Sequence, residues 1–213
     1  MIHSRLTKQD ELEWGHPIGQ ADAAMVLLHG RGSSSSDIKE LATLFHSDRF
    51  AFIAPGAEGG AWYPYSFLSP IARNEPYLSR SLARIKVLLE RIRASGITPS
   101  RTMLLGFSQG ACLALEFTAR EPGNYAAVVG LSGGLIGPPG TVWQTKGRAD
   151  ALTVFLGCGE PDPHIPIERV EQTARFFTST GARVEKRIYP GLGHSINQDE
   201  IEQVKKLMSG ILG

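Results

Sequence analysis

The 213 residues carry 22 lysines and arginines against 21 acidic residues, and a formal charge of +1 leaves no basic field of the kind nucleic acid would require. A hydrophobic share of 42% and a charged share of 20% are ordinary globular usage, which excludes disorder and coiled coil, and the length suits one domain with a full core. Two cysteines, Cys112 and Cys158, make no disulfide framework, no apolar run reaches the ~18 residues of a membrane span, and the N-terminal MIHSRLTKQDELEW lacks the apolar stretch of a secretory signal, so the expected location is cytoplasmic.

Taken in chain order, the pattern alternates buried strands with amphipathic helices. The stretch before Ala23 is read as an antiparallel edge strand or hairpin. Ala23–His29 (AAMVLLH) is a near-continuous apolar strand ending in GRGSSSS. Asp37–Phe45 places Ile38, Leu41, Ala42, Leu44 and Phe45 on one helical face, and Phe50–Ala54 is a second short strand stopped by Pro55 and Gly56. From Gly56 to Pro76 no period holds, and Trp62, Tyr63, Tyr65, Phe67 and Leu68 lie among glycines and prolines. A loop of that length is expected to do something, here to pass over a pocket as a short lid.

A long helix over Leu78–Ser95 ends at Gly96; its basic residues from Arg80 to Arg93 are expected on a solvated face. Thr102–Phe107 is a third strand, and the helix SQGACLALEFTAR follows from Ser108. Ala126–Leu131, Leu152–Cys158 and Val184–Tyr189 are further strands. Between them fall the Gly133–Gly147 loop with Trp143 and the Ile167–Ser179 helix, and Gln198–Ile211 closes the chain. Strands alternating with helices predict a mostly parallel sheet covered on both faces, with no repeat, linker or domain boundary.

The chemistry concentrates at three turns. Gly106-Phe107-Ser108-Gln109-Gly110 lies between a buried strand and a helix, where a sharp strained turn exposes the serine hydroxyl and demands small residues two positions either side. A serine hydroxyl needs a neighbouring base. Of six histidines, His3, His16 and His46 sit in polar or exposed stretches, His29 ends the first strand as a loop-orienting residue, and His164 lies in DPHIP. His194, in the glycine-rich PGLGHSI after the last strand, is the expected base. Asp162, in GCGEPDPHIP, is the expected carboxylate orienting it, ahead of Glu160, Asp150 and Asp199. The expected oxyanion donors are the backbone N–H groups of Gln109 and Arg31, with the Arg31 side chain solvated. Trp62, Tyr65 and Phe67 are candidates for the pocket wall, and Cys112 is a small core residue. GRGSSSS lacks the Lys-Ser/Thr ending of a phosphate loop, and no HExxH or cysteine-rich spacing marks a metal site.

The motifs VLLHGRG, WYPYSF, GFSQGA, GLSGG, GCGEPDPHIP and PGLGHSI together resemble the phospholipase/carboxylesterase family of α/β-hydrolases, over nearly the whole chain. The resemblance implies a triad of Ser108, Asp162 and His194, oxyanion donors at Arg31 and Gln109, no cofactor, and hydrolysis of a small-molecule carboxylic ester. It leaves open a thioesterase, a lysophospholipase, an inactive ligand-binding relative and a homodimer. Two departures, arginine in HGRG where the thioesterases have leucine and the segment EGGAWYPYSFLSP, favour small or short-chain esters over long protein-bound lipids.

Overall fold

In a computed structural model, residues 11–144 and 146–213 are described. Seven strands form one sheet in the order β1-β3-β2-β4-β5-β6-β7. They are β1 (Glu11–Gly15), β2 (Ala23–Leu28), β3 (Phe50–Pro55), β4 (Thr102–Phe107), β5 (Ala127–Leu131), β6 (Thr153–Glu160) and β7 (Arg183–Pro190). β1 runs antiparallel to β3, as the edge strand expected before Ala23; all other pairings are parallel. This is the α/β-hydrolase fold.

Helices α3 (Tyr77–Ala94), α4 (Gln109–Arg120) and α5 (Ile167–Ser179) cover one face, and α1 (Ser35–Ala42) and α6 (Gln198–Leu212) the other, with a one-turn α2 (Ile71–Asn74) leading into α3. The side-chain alternation of strands sorts residues between the two layers. In β2, Ala24, Val26 and Leu28 join the core beneath α3, α4 and α5, while Ala23, Met25 and Leu27 face α1 and α6. Both faces of the central strands are therefore apolar, which is why these strands read as unbroken hydrophobic runs.

Two expectations are corrected. The first helix ends at Ala42 and tightens into a 3₁₀ turn over Thr43–Phe45, which rotates Leu44 off the buried face; Phe45 is buried and Leu44 is exposed. The basic residues of α3 are not all merely solvated, since Arg91 pairs with Glu11 (2.6 Å) and Glu13 (2.7 Å) and so ties α3 to the edge strand. The Gly56–Pro76 excursion is strapped down along its length. Gly32 N–H donates to Gly60 O, the Asn74 side chain holds Tyr65 N–H and Ser66 O, and Gly137 N–H donates to Phe67 O.

Parallel strands send all their carboxyl ends to one rim. Ser108 follows β4, Asp162 lies two residues after β6, and His194 follows β7, which is hydrogen-bonded to β6. Among the described residues no helix is long and apolar enough to cross a membrane.

Candidate active site

Ser108 adopts φ 55°, ψ −118°, a left-handed conformation that side chains avoid. The turn is held by Ser108 N–H donating to Leu131 O (2.9 Å) and Cys112 N–H donating to Ser108 O (3.0 Å). Close packing requires the flanking glycines: a Cβ on Gly106 would overlap Gly110 O, and one on Gly110 would overlap Leu28 O and His29 O. The tight turn thus forces strand, helix and the loop after β2 into backbone contact.

His194 Nε2 lies 3.0 Å from Ser108 Oγ, and Nδ1 lies 2.7 Å from Asp162 Oδ2. The Asp162 carboxylate is wholly buried and the imidazole is 19% exposed. Asp162 Oδ1 accepts from the His164 and Ile165 amides at 2.8 and 3.0 Å. Burial alone would raise the Asp162 pKa, but the hydrogen bond from His194 and those two amides outweigh it and hold the carboxyl below its ordinary value. The loops bearing the two groups meet at Gly159, where a Cβ would overlap Gly193 O. Phe107 and His164 pack on the His194 ring with centroids 5.1 and 4.8 Å away. The row hydroxyl–imidazole–carboxylate is therefore continuous, and a proton can pass from Oγ to Nε2 while the ionised carboxylate stabilises the imidazolium. Glu160, the alternative acid, ends β6 and is exposed.

Among the described residues the Arg31 and Gln109 amide N–H groups have no hydrogen-bond acceptor. They sit beside Ser108: Gln109 opens α4, and Gly30 lies so near that a Cβ on it would touch Ser108 Cβ at 3.4 Å. The Arg31 side chain is exposed, as expected, and also donates to the carbonyls of Tyr63, Pro64 and Tyr65 at 2.8–3.0 Å. Trp62 and Phe67 are also corrected as wall candidates, since both are buried in the core below α3 and α4; Trp62 Nε1 donates to His29 O. Tyr65 is 46% exposed, with Arg73 stacked on its ring at 4.2 Å. His29 is buried, accepting Ala57 N–H at Nε2, which makes Nδ1 the donor to Gly30 O, and burial lowers its pKa. It is a loop-orienting residue, as expected. Cys112 is buried, its thiol pushed up to about 12 chiefly by burial.

Sequence reasoning missed two features near the row. The Cys158 thiol, pushed up to about 12 by burial and by the Asp162 charge, lies 3.8 Å from Asp162 Oδ2 and is a neutral neighbour of the acid. Glu200 is fully buried. One of its carboxyl oxygens accepts from the Asn197 amide in a capping box that starts α6 three residues beyond His194; the other has no hydrogen-bond partner among the described residues and fills the space left by Gly157. The Asn-x-x-Glu spacing is a signal that could have located the cap, though not the burial.

Burial pushes the Glu200 pKa up to about 7, the Asn197 amide opposing it. A folded-state pKa above the unfolded value means the native state holds the proton more tightly, so stability falls as pH rises from about 4.5 through about 7. Glu200→Gln, which keeps the acceptor for Asn197, should therefore flatten the loss of unfolding free energy between pH 5 and 8.5 by roughly 2–3 kcal/mol. Urea titrations at the two pH values measure it; identical profiles for both proteins would refute it.

A strand–serine–helix turn on a seven-stranded α/β-hydrolase sheet, with histidine and acid at the same rim, defines a serine hydrolase. The chain belongs to the phospholipase/carboxylesterase family, whose signature matches residues 12–212. It is similar to acyl-protein thioesterase 1 of Saccharomyces cerevisiae, 30% identical with 90% of this chain and 96% of the relative covered. Esterase YpfH of Escherichia coli is 26% identical, over 92% of this chain and 85% of the relative. Among solved structures, a phospholipase/carboxylesterase from Dyadobacter fermentans is 37% identical with a TM-score of 0.88, covering 96% of both chains.

Proposed function

We propose that this chain is a cofactor-independent serine carboxylesterase that hydrolyses small or short-chain carboxylic esters through an acyl-enzyme. Ser108 attacks the carbonyl while His194 takes its proton, and Asp162 holds the imidazole in the tautomer that accepts at Nε2. The Arg31 and Gln109 N–H groups stabilise the oxyanion. His194 then protonates the leaving alcohol and activates the water that releases the acid. The observation that carries the reading is the unbroken row from Ser108 Oγ through His194 to the buried Asp162 carboxylate.

The preference for short acyl groups is supported by the 62–67 stretch, whose rings Trp62, Tyr63 and Phe67 are committed to the core instead of lining a long channel. A thioesterase would use the same groups, and the yeast relative's name favours that second reading.

The test is a hydrolysis panel of oxygen esters and thioesters of the same acids, with fluorophosphonate labelling to locate the nucleophile. Labelling is expected on Ser108 alone, and kcat/KM should be highest for short acyl groups on oxygen esters. Were a long acyl channel present, each methylene it buried would add about 0.8 kcal/mol, or about fourfold in kcat/KM. A steady rise continuing past about twelve carbons would thus overturn the short-chain reading. Thioesters consistently outrunning matched esters would favour the second reading, and a folded protein that resists labelling would refute both.

A further inference from the structure

We infer that the side chains of Arg31 and Gln109 are positioning groups that lock the two oxyanion-binding amides together by gripping one stretch of chain, Trp62–Tyr65. This rests on the reading that Ser108 is the nucleophile and that the Arg31 and Gln109 N–H groups face the oxyanion. The Tyr63 carbonyl accepts from Arg31 Nη2 at 2.8 Å and from Gln109 Nε2 at 2.8 Å, so a single oxygen joins the two residues. Gln109 Oε1 accepts the Trp62 amide at 3.0 Å. Arg31 also reaches Pro64 O and Tyr65 O.

The gripped stretch is itself anchored. Trp62 Nε1 donates to His29 O (2.9 Å), Ser81 Oγ to Trp62 O (2.7 Å), and Tyr65 N–H to Asn74 Oδ1 (2.9 Å). The brace therefore ties the loop after β2, the first turn of α4 and the head of α3 into one unit. Its physical purpose follows from the sequence. Arg31 lies between Gly30 and Gly32, the latter at φ 74°, and a peptide flanked by glycines has the freedom to rotate its N–H away from the reaction centre. Oxyanion donors accelerate a reaction only when already aimed at the developing charge, within about 0.5 Å of the productive position. A guanidinium suits the task because its planar fork satisfies several carbonyls at fixed angles, which an ammonium cannot do.

The experiment compares Arg31→Met, Arg31→Lys, Gln109→Met and the Arg31→Met/Gln109→Met double variant with the wild type on a short-chain ester. Each single change is expected to lower kcat by about 30- to 100-fold, approaching the loss of one donor, with KM within about threefold. Lysine should not rescue. Affinity for an alkyl boronate, which forms a tetrahedral anion on the serine, should fall in parallel. The pH profile of kcat/KM should keep its midpoint. The double variant should be no slower than about threefold below the worse single, because both remove the same constraint.

Wild-type kcat in Arg31→Met, full rescue by lysine, or a loss carried by KM with boronate affinity unchanged would each overturn the inference. Arg31 is exposed, so its variants are expected to fold even where Gln109→Met does not. Failure of the underlying reading looks different: the wild type itself would resist fluorophosphonate at Ser108 and bind no boronate.

Discussion

His194→Ala is expected to lower kcat on a short-chain ester by about 10⁵- to 10⁶-fold, the scale seen when a serine hydrolase loses its base. The reason lies in the hydroxyl. Ser108 Oγ is a weak nucleophile at neutral pH, and Nε2 of His194, the proposed base, lies 3.0 Å away. Among the described residues nothing beside it is placed to substitute: the His164 ring stands edge-on to His194 at 4.8 Å, and its backbone is bound to Asp162. In the proposed mechanism Ser108 and His194 act as one unit, so the Ser108→Ala/His194→Ala double variant should be no slower than either single variant. Release of acid in a pH-stat assay, with circular dichroism to confirm folding, measures both. If His194→Ala kept more than a hundredth of the activity, another group would have to be removing the proton.

That His194, whose ring lies against Ser108, stands out among six histidines by its place after the last strand shows what kind of information the sequence carries. Strand–helix alternation fixes which ends of which strands share a rim, so a serine after β4, an aspartate after β6 and a histidine after β7 had to converge once the sheet was parallel. Glycine spacing carried a second signal. Gly106 and Gly110 bracket Ser108, and the backbone overlap that larger residues would cause explains why those positions are small. The edge strand before Ala23 and the inward Cys112 were legible for the same reason, namely local pattern.

Side-chain destinations were not legible. Arg31 reads as a solvated cation because sequence cannot show that the carbonyls of Tyr63, Pro64 and Tyr65 will lie within reach of its fork. Trp62 and Phe67 read as pocket wall because an aperiodic aromatic segment gives no face, and only the folded path turns both rings into the core. Leu44 was misplaced by a change from α to 3₁₀ winding, a shift of phase that no hydrophobic period announces. Glu200 was invisible as a buried acid because its pattern is that of a surface cap.

Asp162→Asn should cost about 10⁴-fold in kcat, though it changes one atom, since the same exchange of the orienting acid in serine proteases has that effect. The structure supplies the cause. Asp162 Oδ1 is pinned by two amide donors, His164 N–H and Ile165 N–H, and only an oxygen can occupy that place. An asparagine must therefore keep its carbonyl there and turn its NH₂ group toward His194 Nδ1. That nitrogen then becomes an acceptor, the ring proton moves to Nε2, and the imidazole faces Ser108 Oγ as a donor instead of a base. The aspartate avoids this by staying ionised, its pKa held low by the His194 contact and the two amides against the cost of burial. Its own protonation should accordingly not limit activity near neutrality. The variant should fold, since both amides retain their acceptor, and the loss should appear in kcat with KM nearly unchanged. A decrease of less than tenfold would show that the carboxylate does not set the tautomer of His194, and with it the proton route from Ser108 would have to be redrawn.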